Sequence, residues 1–214
     1  MNEVKLLSER SEYIHFITQK HYAQRIPSIS FAYGLYIDNI LKGVCTIGKP
    51  ASNSLCVGLL GKEYSSKVYE LNRLITVDEL PKNTLSMFVS TVLKILKTED
   101  LAIVSYADEG VGHNGYIYQA TNFIYTGKTK ERTDKYTPDN KHSRHYTEEY
   151  NHLRKCRTSK HRYVYFTGKS RKKFIKLLKY EVIQYPKGEN KNYVLGTRNK
   201  TKIYNKLTEK YYFE

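Results

Sequence analysis

Residues 101–127 read LAIVSYADEGVGHNGYIYQATNFIYTG, and their succession of patterns decides the fold class. Leu101-Ala102-Ile103-Val104, followed by Ser105-Tyr106, is an apolar run of strand length and predicts a buried strand. Asp108-Glu109-Gly110 breaks the run with a polar turn. Gly112-His113-Asn114-Gly115 follows, with two glycines where a backbone must bend or approach something closely. Tyr116 to Asn122 then fits a short helix, and Phe123-Ile124-Tyr125-Thr126 a second strand. This order sets Asp108, His113 and Tyr118 near the carboxyl end of a central strand, where ligands of open α/β sheets gather. The plainer reading stands beside it: a loop whose polar residues only cap and turn.

Working back towards the N-terminus, the same alternation of elements continues. Leu85, Val89, Val92, Leu93 and Leu96 recur at helical spacing, with Asn83 or Thr84 as cap and Ser86 in the first turn. A helix start favours a phosphate or another anion. The preceding VYELNRLITV (68–77) is a strand that carries Arg73, which can add a charge-assisted contact or pair with Glu70 or Glu79. Val57 to Gly61 reads as a short helix or turn. Ile29, Phe31, Tyr33, Leu35 and Ile37 alternate at the period of a strand, Asp38-Asn39 turns, and Ile40 to Ile47 returns, which predicts a hairpin. Before it come a short strand at Val4–Leu7 and a helix capped by Ser8 or Ser11 and ended by Arg25-Ile26-Pro27. His21 falls near that helix end, as a packed histidine or a site residue.

Downstream of Gly127 the character of the chain changes. The net charge is +15, yet residues 1–127 carry 12 Lys+Arg against 12 Asp+Glu, and residues 128–214 carry 24 against 9. Tyr136, Tyr146, Tyr150, Tyr163 and Tyr165 are interleaved with this excess. Lysine and arginine neutralise phosphates while flat rings stack on bases, so the pattern suits nucleic acid. Candidate contacts are Arg162 and Tyr163, in a strand at 161–167, and Arg171, Lys172 and Lys173, in a basic amphipathic helix. Val182 to Tyr185 reads as a last strand. Residues 187–214 read as a basic tail able to act as a mobile arm, and residues 1–186 as one domain whose basic DNA-contacting part is 128–186.

The remaining composition excludes several classes. No apolar run reaches the roughly 18 residues of a transmembrane helix, so no membrane role is expected. The N-terminus lacks an apolar signal core, which points to a cytoplasmic protein. Cys45, Cys56 and Cys156 form no C-x-x-C pair. His142, His145, His152 and Cys156 match no zinc spacing, and a basic loop repels a cation.

Four strings resemble the Mom family of phage DNA-modification enzymes: HYAQRIPSISFAYGLYI (21–37), ELNRLITVDELPKNTLSMF (70–88), IVSYADEGVGHNGYIYQATNFIYTG (103–127) and SKHRYVYFTG (159–168). The resemblance implies a GNAT-like α/β (α+β) fold, a central mixed sheet flanked by helices. It also implies conversion of adenine in double-stranded DNA to an N6-carbamoylmethyl form, which protects phage DNA from host restriction. It makes Asp108, Tyr118 and His21 catalytic or adenine-site candidates, and Arg73 and Ser86 contacts to an acyl donor. Acetyl-CoA is the donor the fold suggests. The loop Thr76–Lys82 has none of the glycines of a usual GNAT pyrophosphate loop, so an aminoacyl-tRNA donor stays open. The new bond is to a CH₂ carbon, which simple acyl transfer does not explain, so a metal on hard ligands such as His21 and Asp108 also stays open. So do a GNAT enzyme acting on RNA or protein, a non-catalytic DNA-binding protein, and the oligomeric state, a dimer included.

Overall fold

The computed structural model describes residues 2–138, 145–188, 195–197 and 200–214. The first strands are β1 (Asn2–Leu6), β2 (Phe31–Ile37), β3 (Ile40–Gly48), β4 (Val68–Thr76) and β5 (Ala102–Asp108). Later ones are β6 (Ile124–Lys128), β7 (Arg132–Lys135), β8 (Leu153–Arg157), β9 (Lys160–Phe166), β10 (Lys202–Asn205) and β11 (Lys210–Phe213). The helices are α1 (Arg10–His15), α2 (Asn53–Leu60), α3 (Thr84–Ile95), α4 (Tyr116–Ala120) and α5 (Arg171–Leu177). Seven strands form one sheet in the order β1-β2-β3-β4-β5-β9-β6, and four form a second, β11-β10-β8-β7.

The expected hairpin is β2–β3. Its two turn residues, Asp38 and Asn39, have φ of 49° and 63°, the left-handed pair that matches the twist of the flanking strands. Alternation along the strands gives the large sheet two buried faces. Ile103, Tyr163 and Tyr165 pack on α3 through Phe88, Val89, Val92 and Leu93. Ala102, Val104, Val164 and Phe166 pack on α2 and α5 through Cys56, Leu59, Leu60 and Phe174. Helix α2 starts earlier than the sequence suggests because the Ser52 hydroxyl accepts the Leu55 N–H at 3.2 Å.

Three expectations change. The N-terminal helix does not run on to Arg25. It passes into a π-helical turn, Phe16–Lys20, and leaves helical geometry at His21. Val182–Tyr185 forms no strand. It lies beside β6 as extended chain, where Ile183 N–H donates to the Tyr125 carbonyl at 3.1 Å and the Tyr185 hydroxyl to the Phe123 carbonyl at 2.6 Å. The tail read as an arm carries β10 and β11, and its Ile203 is fully buried against Tyr136 and Leu153. Its pattern is too short and too lysine-rich to announce a strand pair.

Candidate functional site

Strand β4 is parallel to β5, whereas the other neighbours in the large sheet are antiparallel. The β4–β5 ladder runs from Val68–Ala102 to Leu71–Ser105 and stops, although both strands continue. Beyond Leu71 the β3–β4 register also shifts: Ile47 faces Leu71, Thr46 faces Arg73, and Asn72 is the extra residue of a bulge. The bulge is pinned by side chains. Thr46 Oγ1 donates to Asn72 Oδ1 at 2.6 Å, and Asn72 Nδ2 donates to the Ser28 carbonyl at 2.7 Å. A bulge re-aims the next side chain, and here that residue is Arg73. The strands part, and a cavity of about 660 Å³ opens between them. That lies in the range of small-molecule sites, about 300–1,000 Å³.

Part of the cavity lining carries positive charge and the donor groups of a helix start. Arg73 lines the cavity and is held by backbone carbonyls, Nη1 donating to Asn72 and Nη2 to Arg25, both at 2.6 Å. Its Nε is buried without a hydrogen-bond partner. Burial opposes the guanidinium charge, while Tyr22 and Glu70 favour it; it remains cationic at neutral pH. The start of α3 forms the adjoining wall with Thr84, Leu85 and Ser86. Asn83 there is left-handed (φ 68°) and gives no side-chain cap. First-turn N–H groups have no partner within their own helix. The Ser86 hydroxyl donates to the Asn83 carbonyl at 2.9 Å.

His21, Glu70 and Tyr118 line the same cavity, His21 and Glu70 close to Arg73. His21 is 5% exposed, and burial together with Arg73 lowers its pKa to about 3, so it is neutral. Its Nδ1 accepts the Ala23 N–H at 3.0 Å, which assigns the ring proton to Nε2. His21 stacks on Tyr22, and His113 meets the edge of Tyr22. Tyr118 is buried beside Tyr163 and Phe123, and burial pushes its phenol up, so it stays a proton donor. Glu70 also lines the cavity. Burial raises its pKa, partly offset by Arg73 and Lys160. Helix α4, which carries Tyr118, starts at Gly115 with φ 85°. A Cβ on Gly115 would sit 2.3 Å from the Tyr163 ring, so only glycine lets the loop close on β9.

The cavity thus brings together His21, Arg73, Ser86 and Tyr118. Asp108 lies elsewhere, in a neighbouring groove. Its carboxylate accepts Thr158 Oγ1 at 2.6 Å and Gly110 N–H at 3.0 Å, and it pairs with Lys160 Nζ at 2.8 Å. Burial raises its pKa, but Lys160 and these hydrogen bonds outweigh burial and hold it below the usual range. Asp108 and His21 therefore do not face one point, and among the described residues no three His, Cys, Asp or Glu come together to hold a metal ion. His142 lies outside the described residues. Tyr163 is fully buried, its hydroxyl bonded to the Asn114 carbonyl and to Gln119, so it has no face for a base. Arg162 is bonded to Thr126 through Nε and Nη2 and lies on the Tyr180 ring, 3.4 Å from its centroid. Tyr163 thus packs in the α3-side core, and Arg162 is half-buried on the other face of the sheet against Tyr180. Arg171, Lys172 and Lys173 are exposed on α5, on the face opposite α3. Sequence reading missed Glu70 and Tyr22 as site residues. The signal for Glu70 was its place three residues before Arg73 on a strand that parts from its neighbour.

A model of the Mom protein family matches residues 7–187. The methylcarbamoylase Mom of Escherichia phage Mu is 30% identical over 115 residues, covering 52% of this chain and 48% of the phage protein. The chain thus spans about half the length of that curated relative. Among solved structures, a putative acetyltransferase from Acinetobacter baylyi aligns with a TM-score of 0.50 at 10% identity, over 78% of this chain and 92% of its own. A GNAT family acetyltransferase from Elizabethkingia anophelis gives 0.42 at 10% identity, over 77% and 97%. The sheet with its parted β4 and β5 is GNAT-like, and with the family match running from the first helix past α5, the chain belongs to the Mom protein family.

Proposed function

We propose that this protein is a transferase that modifies adenine in phage DNA by adding a carbamoylmethyl group at N6: the N6–CH₂ bond forms as that carbon's bond to the donor's leaving group breaks, and the N6 proton passes to a base. The observation that carries the reading is the cavity where β4 and β5 part, lined by Arg73 and the start of α3 together with His21, Glu70 and Tyr118. The family membership and the fold support it. Arg73 and the first turn of α3, with Ser86, are suited to a phosphate carried by the donor. The donor supplies the activated carbon. The chain's own residues orient it and manage the proton.

Adenine N6 is a weak nucleophile because its lone pair is delocalised into the ring. Glu70, with a carboxyl pushed towards neutrality by burial, is the acceptor best suited to take the amine proton. Tyr118 is a neutral phenol in the same cavity and can donate a hydrogen bond to the donor carbonyl. Neutral His21 offers Nε2–H and adds no positive charge beside Arg73. Asp108 supports this set through Lys160, which also lines the cavity. A base inside a duplex cannot reach such a cavity, so the target must be flipped out.

Nucleoside mass spectrometry of DNA from cells expressing the chain tests the proposal. A modified adenosine carrying the added mass is expected. Unmodified DNA under conditions where the protein is folded and abundant would sink it.

A further inference from the structure

The second sheet builds a groove that the sequence did not announce. It has a volume of about 900 Å³ and runs from the β5–β9 junction across β7, β8, β10 and β11. Among the described residues, seven basic side chains line it against two acidic ones. Arg132, Lys155 and Arg157 come from β7 and β8, and Lys200 and Lys202 from the C-terminal segment. Asp134 faces both Arg132 (3.5 Å) and Arg157 (2.7 Å), so one carboxylate serves two guanidiniums and positive charge is left over. Tyr211 and Phe213 line the same groove and are 57% and 65% exposed, with Lys202 over the Tyr211 ring. Lysines and arginines beside exposed rings form the chemical surface that tracks a nucleic-acid backbone. The groove is contiguous with the cavity, since Tyr22 and Lys160 line both.

We propose that this groove, and not helix α5, holds the phosphodiester backbone of the DNA strand whose base enters the cavity. Positive charge alone would not choose between the two surfaces. Position does: α5 lies across the large sheet from α3 and lines neither the cavity nor the groove, while the groove shares its threshold residues with the cavity. The inference rests on the reading of the protein as a DNA-modifying enzyme.

The test compares two triple variants that remove equal charge. One is Arg132→Ala, Lys200→Ala and Lys202→Ala; the other is Arg171→Ala, Lys172→Ala and Lys173→Ala. Binding of a labelled adenine-containing duplex is measured by anisotropy across a salt series, together with modified adenine in the product. Each lost phosphate contact lowers the slope of log K against log salt by about 1. The groove variant should therefore lose about 2–3 of that slope and at least about tenfold in affinity. The α5 variant should stay near wild type. Thermal melts check folding. If the groove triple does not fold, Arg132→Ala alone, whose side chain is 73% exposed, should still lose about 1 of the slope. Arg132→Lys, which keeps the charge, should retain the wild-type slope. Wild-type slope in the folded groove variant, or a loss confined to the α5 variant, overturns the inference while leaving the enzymatic reading intact. Wild-type protein that neither binds DNA nor modifies it overturns both.

Discussion

Glu70 and Tyr118 share a cavity but differ in what burial does to them. Burial raises both pKa values, which leaves the carboxyl ready to accept a proton and the phenol unable to lose one. Glu70→Gln keeps the shape and removes the acceptor charge, and Tyr118→Phe keeps the ring and removes the donor. Acid–base groups contribute about 10²–10⁴-fold, so each variant should lower the rate of adenine modification by that order with an unchanged melt. Rates near wild type from both would move the chemistry to His21 or His113. Asp108→Asn should behave differently: it strands Lys160, so its cost is chiefly stability, of roughly 1–3 kcal/mol. His21 makes a prediction in pH. Its folded pKa of about 3 lies below its ordinary 6.5, so the unfolded chain takes up the proton first. Stability from this group is present above 6.5 and is lost as pH falls towards 3, amounting to about 2 kcal/mol between roughly pH 7 and pH 5. His21→Asn, which retains an acceptor for the Ala23 N–H, should flatten that limb of the stability curve in denaturant titrations. An unchanged limb would mean that His21 is protonated in the native state.

Strand β4 turns a register irregularity into a site. Without the bulge at Asn72, alternation would carry Arg73 to the face of Leu71 and into the core beneath α3, away from the Arg25 carbonyl that holds it. The loop from β5 to α4 does the same work for Tyr118, and it depends on Gly115. Gly115→Ala combines a left-handed backbone, costing about 1–3 kcal/mol, with a collision against Tyr163 of similar cost. A loss of about 2–5 kcal/mol in urea unfolding is expected, with modification falling in parallel because Tyr118 is displaced. Stability within 1 kcal/mol of wild type would show that the loop has slack to re-form. This is where the legibility of the sequence divides. Period-2 and period-3.6 patterns give β2, β3, β4, β5 and α3 directly, and the two glycines of 112–115 mark the close approach. Patterns say nothing about which strands part, so Glu70 reads as an ion-pair partner of Arg73 and not as a site residue. They also do not say how deep a strand side chain lies, so the burial of Tyr163 and the half-burial of Arg162 against Tyr180 are not legible in the sequence.

At the scale of the whole molecule, two sheets divide the labour, and their cores are separate. The large sheet is buried through three clusters that draw on α1, α2, α3 and α5, whereas the small sheet rests on Tyr136, Leu153 and Ile203. Strands β10 and β11 supply one of those three residues and are tied to the rest by the Tyr136–Glu214 hydrogen bond of 2.9 Å. Removing residues 200–214 would leave β7 and β8 as a lone hairpin, which is marginal in water. It would also free the edge of β8, a template for pairing with other chains. The groove loses Lys200, Lys202, Tyr211 and Phe213, but the cavity keeps His21, Glu70, Arg73 and Tyr118. Hydrogen exchange read by mass spectrometry should then show protection retained in 31–48, 68–76, 102–108 and 160–166, and lost in 132–135 and 153–157. DNA affinity should fall with it, since a mobile hairpin holds Arg132 and Arg157 in no fixed register. Loss of protection throughout the large sheet would show that the two sheets fold as one unit. The basic half of the chain would then be part of the scaffold that holds the cavity open, as well as the surface that brings DNA to it.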